Sequence, residues 1–61
     1  MIGYKESLKK VIAYLRGDLD IYNGQHPEAI RAWDDCWDEM MALGYDPETV
    51  QGVKAYIINE L

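Results

Sequence analysis

The sequence predicts an all-α fold, a small antiparallel three-helix bundle, from three observations. Apolar side chains recur at helical spacing in three segments, and no stretch alternates apolar and polar residues for long enough to form a strand. Short stretches rich in glycine, asparagine or proline separate these segments. The predicted helices span about 4–22, 27–43 and 47–60. Because short connections place successive helices side by side, the three helices should run up, down and up.

The second predicted helix has the widest apolar surface in the chain. Its apolar half consists of Ala29, Ile30, Trp33, Cys36, Trp37, Met40, Met41 and Leu43. Its polar half carries Glu28, Asp34, Asp35, Asp38 and Glu39, with Arg31 as the only base. An apolar stripe this wide can face two neighbouring helices at once. Pro27 suits the first helical position, and Gly44 suits the residue after the last turn.

The first helix contains a glycine in its interior. Gly17 costs about 1 kcal/mol relative to alanine inside a helix. Leu19 and Tyr22 nevertheless keep the helical phase of Leu8 and Leu15. We therefore predict one helix that passes through Gly17 and ends at 23–24, an Asn-Gly pair that tolerates the left-handed conformation.

The third helix has the clearest start signal, Asp-Pro-Glu-Thr at 46–49. Asp46 is predicted to accept hydrogen bonds from the free amides of the first turn, and Pro47 is predicted to take the first helical position. The predicted core stripe of this helix consists of Val50, Val53, Ile57 and Leu61. Tyr56 lies at the edge of this stripe.

Length and composition limit the class of protein. The 61 residues form one predicted domain, 1–61, with a net charge of −5. Cys36 has no cysteine to pair with, and no His/Cys cluster suggests a structural metal or a cofactor. We find no signal peptide and no membrane-spanning run, so the expected location is the cytoplasm.

One acidic run has the spacing of a metal-binding motif. Residues 34–38 read Asp-Asp-Cys-Trp-Asp, which resembles the aspartate-rich motif of isoprenyl diphosphate synthases and terpene cyclases. Those enzymes also need a second metal-binding motif and a large cavity, which 61 residues cannot provide. The run is better interpreted as the solvated face of an amphipathic helix. His26 is predicted to lie in a surface loop and Cys36 to be a buried, unreactive thiol, so no enzymatic activity is expected.

A second resemblance supplies the alternative function. Residues 40–54 resemble the helix-turn-helix of DNA-binding regulators, with the turn at 43–45. The resemblance implies that Thr49, Gln51 and Lys54 would face the DNA groove. This face has one lysine and no arginine, and the acidic middle of the chain repels phosphate, so nucleic acid is the less favoured partner.

The leading hypothesis is a non-enzymatic helical module that binds a protein with a basic surface. The binding residues are predicted to be Asp34, Asp35, Asp38, Glu39, Tyr14 and Tyr56, since acidic groups steer a basic partner and tyrosines in excess of the core anchor it. The alternative for the tyrosines is that their rings cover the edges of the core with the hydroxyls in water. In size and acidity the chain is similar to small accessory proteins of bacteriophages and mobile elements, which suggests that it modulates a host factor. A further alternative is a homodimeric structural module closed by the wide apolar stripe of the second helix.

Overall fold

The computed structural model describes residues 3–23 and 25–61 and contains three α-helices in those ranges. They are α1 (Tyr4–Leu15), α2 (Pro27–Leu43) and α3 (Val50–Glu60). No strand occurs in the described residues, and the helices pack against one another, so the predicted all-α three-helix bundle is confirmed. Helix α1 contacts both α2 and α3 extensively, whereas α2 and α3 contact each other less.

The predicted end of the first helix is wrong, because α1 ends before Gly17. Gly17 has a left-handed φ of 85°, which glycine adopts more readily than any other residue. Its N–H donates to the Tyr14 carbonyl at 2.9 Å, and the Asp18 N–H donates to the Ala13 carbonyl at 2.9 Å. These two bonds form a Schellman motif, which satisfies carbonyls that the helix leaves free. Residues 16–23 therefore leave the helix instead of extending it to Tyr22.

The segment after α1 still contributes to the core. Ile21 is fully buried and Leu19 is half-buried, whereas Tyr22 is 56% exposed. The helical phase that predicted Tyr22 as a core residue does not apply here, because the backbone has left the helix. Of the predicted Asn-Gly terminus, residue 24 lies outside the described residues.

Helix α2 has the predicted bounds and the predicted signals at its two ends. Pro27 occupies the first turn, and Gly44 follows the last turn with a φ of 89°. The Tyr45 N–H donates to the Met40 carbonyl at 2.8 Å, which completes the glycine-based terminus. Part of the predicted apolar half faces solvent, since Met41 is 59% exposed and Leu43 is 50% exposed.

Helix α3 begins at Val50, three residues later than predicted. Thr49 caps it, because its Oγ1 accepts a hydrogen bond from the Gly52 N–H at 3.0 Å. The Asp46 carboxylate instead accepts from the Glu48 N–H at 2.9 Å, which forms a turn before the helix. The predicted capping role of Asp46 is therefore wrong, because Thr49 caps the helix.

The core is formed by all three helices and by Ile21. Its buried apolar residues are Leu8, Val11, Ile21, Ala29, Ala32, Cys36, Met40, Val53, Tyr56 and Ile57. The predicted stripe of the third helix is only partly correct. Val53 and Ile57 are buried, but Val50 is half-buried and Leu61 is 46% exposed. No helix in the described ranges is both long enough and apolar enough to cross a bilayer.

Candidate protein-binding face

The solvent side of α2 carries the acidic residues that the sequence predicted as a binding site. Asp34, Asp35, Asp38 and Glu39 are all exposed. The structure therefore places these four carboxylates on the solvent side of one helix. They divide into two pairs according to their hydrogen bonds.

Asp35 and Glu39 connect α2 to the other two helices. The Tyr4 hydroxyl of α1 donates to Asp35 Oδ2 at 2.8 Å. The Tyr56 hydroxyl of α3 donates to Glu39 Oε2. This hydrogen bond to Asp35 is also the main cause of a raised Tyr4 pKa. Asp35 and Glu39, both predicted as binding residues, thus each accept a hydrogen bond from a neighbouring helix.

The carboxylates of Asp34 and Asp38 make no hydrogen bond or ion pair with another described residue. They are four residues apart on α2 and therefore lie one above the other on the same side of the helix. Two exposed carboxylates without partners remain available to a ligand. The acidic part of the candidate site is therefore Asp34 and Asp38.

A row of aromatic rings lies next to Asp34. Tyr22 lies 5.1 Å from Tyr14, Tyr14 lies 5.9 Å from Trp33, and Trp33 lies 5.6 Å from Trp37, between ring centroids. The rings meet edge to face or tilted, which is the favoured geometry for aromatic pairs. The row connects the end of α1 with the middle of α2.

Trp33 fixes this row to the turn that precedes α3. Its indole Nε1–H donates to the Pro47 carbonyl at 2.8 Å, so this half-buried donor is satisfied. Because the indole is hydrogen-bonded and flanked by two rings, its orientation is set before any ligand arrives. Trp33 and Trp37 line one groove.

This groove combines aromatic walls with one carboxylate. It has a volume of about 270 Å³ and is lined by Tyr22, Ile30, Trp33, Asp34 and Trp37. Aromatic faces beside a carboxylate suit the guanidinium of arginine or the ammonium of lysine, because the ring quadrupole and the carboxylate both attract a cation. We call Tyr22, Trp33, Asp34, Trp37 and Asp38 the acidic–aromatic face.

Of the two tyrosines predicted as anchors, Tyr14 lies within the aromatic row and Tyr56 does not. Tyr14 is half-buried and packs against both Tyr22 and Trp33, so it supports the exposed ring of Tyr22. The sequence left the exposure of Tyr56 open, and the structure encloses its ring in the core, with only 1% of its surface exposed. Burial and the hydrogen bond to Glu39 raise the Tyr56 pKa, as expected for a phenol enclosed in the core.

The residues of the DNA-binding alternative lie elsewhere. Thr49, Gln51 and Lys54 are exposed at the start of α3. The Thr49 hydroxyl is used as the helix cap, and Lys54 lines a separate groove against α1. These three residues are therefore separate from the acidic–aromatic face.

The remaining chemical candidates are placed as follows. Cys36 is buried, and loss of solvation raises its pKa, so its reactive thiolate form is disfavoured. His26 Nδ1 lies 3.6 Å from the Glu28 carboxylate at the start of α2. Across residues 3–23 and 25–61, no group of three or more His, Cys, Asp or Glu side chains is arranged to hold a metal ion.

No family model matches this chain, and no significantly similar curated protein or solved structure was found.

Proposed function

We propose that this chain is a non-enzymatic module that binds another protein through its acidic–aromatic face. The observation that carries the proposal is the groove in which Trp33, Trp37 and Asp34 meet. Tryptophan and tyrosine are the residues most enriched among the energetic anchors of protein interfaces. In this groove they adjoin a carboxylate that has no partner among the described residues.

The chemistry of the face favours a basic partner. The chain has a net charge of −5, and Asp34 and Asp38 project from the middle of the most acidic segment. A field of one sign attracts an oppositely charged surface and increases the rate of encounter. An arginine or lysine of the partner would place its cation against the Trp rings and its charge near Asp34.

Such a module can inhibit a protein whose natural ligand is a polyanion, because carboxylates on a helix can occupy the same basic site. We propose this as the mode in which it modulates a host factor, as small accessory proteins of bacteriophages and mobile elements do.

A comparison of two charge-matched variants tests the proposal. Asp34→Asn with Asp38→Asn removes both unpartnered carboxylates from the face. Asp18→Asn with Glu48→Gln removes the same charge from exposed positions outside it. Each protein is immobilised, exposed to bacterial lysate and cross-linked, and the captured proteins are identified by mass spectrometry.

We expect the wild type and the Asp18/Glu48 variant to capture the same basic protein. The Asp34/Asp38 variant and a Trp37→Ala variant should lose it by about tenfold or more. Equal capture by all four proteins would contradict the proposal, since the interaction would then not depend on the acidic–aromatic face.

A further inference from the structure

A second groove, between α1 and α3, has the opposite charge. It has a volume of about 330 Å³ and is lined by Lys5, Lys9, Ile12, Arg16, Lys54, Ile57 and Ile58. On α1 the lining residues follow the spacing 5, 9, 12 and 16, which places them along one side of the helix. We call this set of residues the basic groove.

The basic groove concentrates the positive charge of an acidic protein. It contains four of the six basic residues of the chain, and no acidic side chain of residues 3–23 and 25–61 lines it. Lys9 has an exposed ion pair with Glu6 at 3.4 Å, a type of pair that contributes little to stability. Lys5, Arg16 and Lys54 have no ion-pair partner among the described residues.

The basic groove also exposes apolar surface. Ile58 is 69% exposed, and Ile12 is half-buried beside it. The phosphate backbone of a nucleic acid is polar, so it would match the cations of the groove but not the apolar surface of these isoleucines. A ligand that matches both properties must carry acidic groups and apolar side chains on the same surface. The acidic–aromatic face of α2 is such a surface.

We propose that the basic groove of one molecule binds the acidic–aromatic face of a second copy. Asp34 and Asp38 lie one helical turn apart, about 6 Å, and so do Lys5 and Lys9. Two aspartates without partners would therefore meet cations at the same spacing. Trp37 and Met41, which flank the aspartates on α2, would cover Ile58 and Ile12.

This contact joins two different surfaces, so it is heterologous and copies associate head to tail. Each bound pair leaves one basic groove and one acidic–aromatic face unoccupied, and the assembly grows with concentration unless a ring closes. It differs from the homodimer predicted from the apolar stripe of the second helix. Ala29, Cys36 and Met40 of that stripe are buried within their own bundle.

The acidic half of this interface rests on the proposed function, and the basic half does not. A chain that stays monomeric but still captures a partner through Asp34 and Asp38 would retain the proposed function and lose the second-copy inference. A chain that self-associates and captures no partner would retain the second-copy inference and lose the proposed function. The two hypotheses can therefore fail separately.

Charge-reversal variants of the full chain test the inference. The groove variant is Lys5→Glu with Lys54→Glu, and the face variant is Asp34→Lys with Asp38→Lys. The control, Asp18→Lys with Glu48→Lys, changes the net charge as much as the face variant does. Sedimentation equilibrium from micromolar to millimolar protein, at low and high salt, gives the association constant of each.

We expect the wild type and the control to associate at low salt and to dissociate at high salt. The groove and face variants should each associate about tenfold or more weakly, and mixing them should restore association. A monomeric wild type at millimolar concentration would overturn the inference. Association that neither reversal weakens would also overturn it.

Circular dichroism checks that the variants are folded. Ile58→Ser provides a second test of the interface, because a side chain that is 69% exposed can be replaced without unfolding the bundle. It should weaken association while every charge is retained. Preferential binding of the basic groove to duplex DNA or to anionic vesicles, in the absence of self-association, would also contradict the inference.

Discussion

At the residue scale, Tyr56 shows how one hydroxyl can connect two helices. Its ring fills the core at 1% exposure, and its hydroxyl donates to Glu39 at the surface of α2. The ring also meets Tyr45 edge to face, with 5.9 Å between the centroids. A phenylalanine would fill the same space but could not donate the hydrogen bond.

We predict that Tyr56→Phe lowers the free energy of unfolding by about 0.5–1.5 kcal/mol at neutral pH, the usual contribution of one hydrogen bond. Burial and Glu39 raise the Tyr56 pKa above its ordinary 10.0, so folding favours the protonated phenol. The stability from this group is fully present below pH 10 and is lost as the pH rises further.

Urea unfolding of both proteins between neutral pH and pH 11 measures this effect. The difference between wild type and variant should be constant up to about pH 10 and then shrink. A difference that stays constant across the whole range would show that the tyrosine does not resist ionisation in the fold.

At the scale of the elements, the two connections depend on glycine for different reasons. Gly17 has a left-handed backbone, and a β-carbon there would meet no atom within 4 Å. Gly52 lies in α3, and a β-carbon there would come within 2.7 Å of the backbone N and C atoms of Asp46. Gly17 is required because its backbone is left-handed, and Gly52 is required because the Asp46 backbone leaves no room for a side chain.

Gly17→Ala distinguishes the observed end of α1 from the helix that periodicity predicted. A left-handed alanine costs about 1–2 kcal/mol, so we expect the variant to be destabilised by that amount. If the helix continued through this position, alanine would stabilise it by about 1 kcal/mol. Chemical denaturation gives the sign, and Gly17→Asn should be less destabilised than Gly17→Ala because asparagine tolerates this conformation.

Gly52→Ala should destabilise the fold by about 1–3 kcal/mol, because the backbone of Asp46 must move to admit the methyl group. That movement also disturbs the turn in which the Pro47 carbonyl accepts the Trp33 indole hydrogen bond. Thermal unfolding followed by tryptophan fluorescence measures both effects. Lys54→Ala, an exposed substitution on the same helix, is the control and should change the melting temperature little.

At the scale of the whole molecule, charge is segregated. Acidic side chains occupy the solvent side of α2, and four of the six basic side chains line the groove between α1 and α3. One part-buried ion pair links α1 and α2, from Lys10 Nζ to Glu28 Oε1 at 2.6 Å. The like charges on α2 repel one another, so the acidic face is expected to reduce stability.

The same double variant that tests the proposed function should therefore be more stable than the wild type. Like charges four residues apart on a helix destabilise it by about 0.2–0.5 kcal/mol. Asp34→Asn with Asp38→Asn should raise the melting temperature by roughly 1–4 °C in low salt, for a domain of this size. The gain should disappear in high salt, where the repulsion is screened. A lower melting temperature would show that these carboxylates stabilise the fold.

The sequence alone determined the three helices, both ends of α2 and the acidic side of that helix. These features depend on local physics: apolar periodicity, a proline at the first turn, a glycine after the last turn, and charges on one side. Local signals did not decide a helix boundary where the same residues allowed two different structures. Gly17 could lie within a helix or terminate one, and either Asp46 or Thr49 could cap α3.

Tertiary structure decided those cases and assembled both candidate surfaces. The buried Tyr56 finds a carboxylate of α2 for its hydroxyl, and Tyr22 joins the aromatic row because the chain turns back after Gly17. The basic groove joins Lys54 to Lys5, Lys9 and Arg16 across two helices that are distant in sequence. Periodicity describes the surface of one helix at a time, so a site built by two helices becomes visible only when their packing is known.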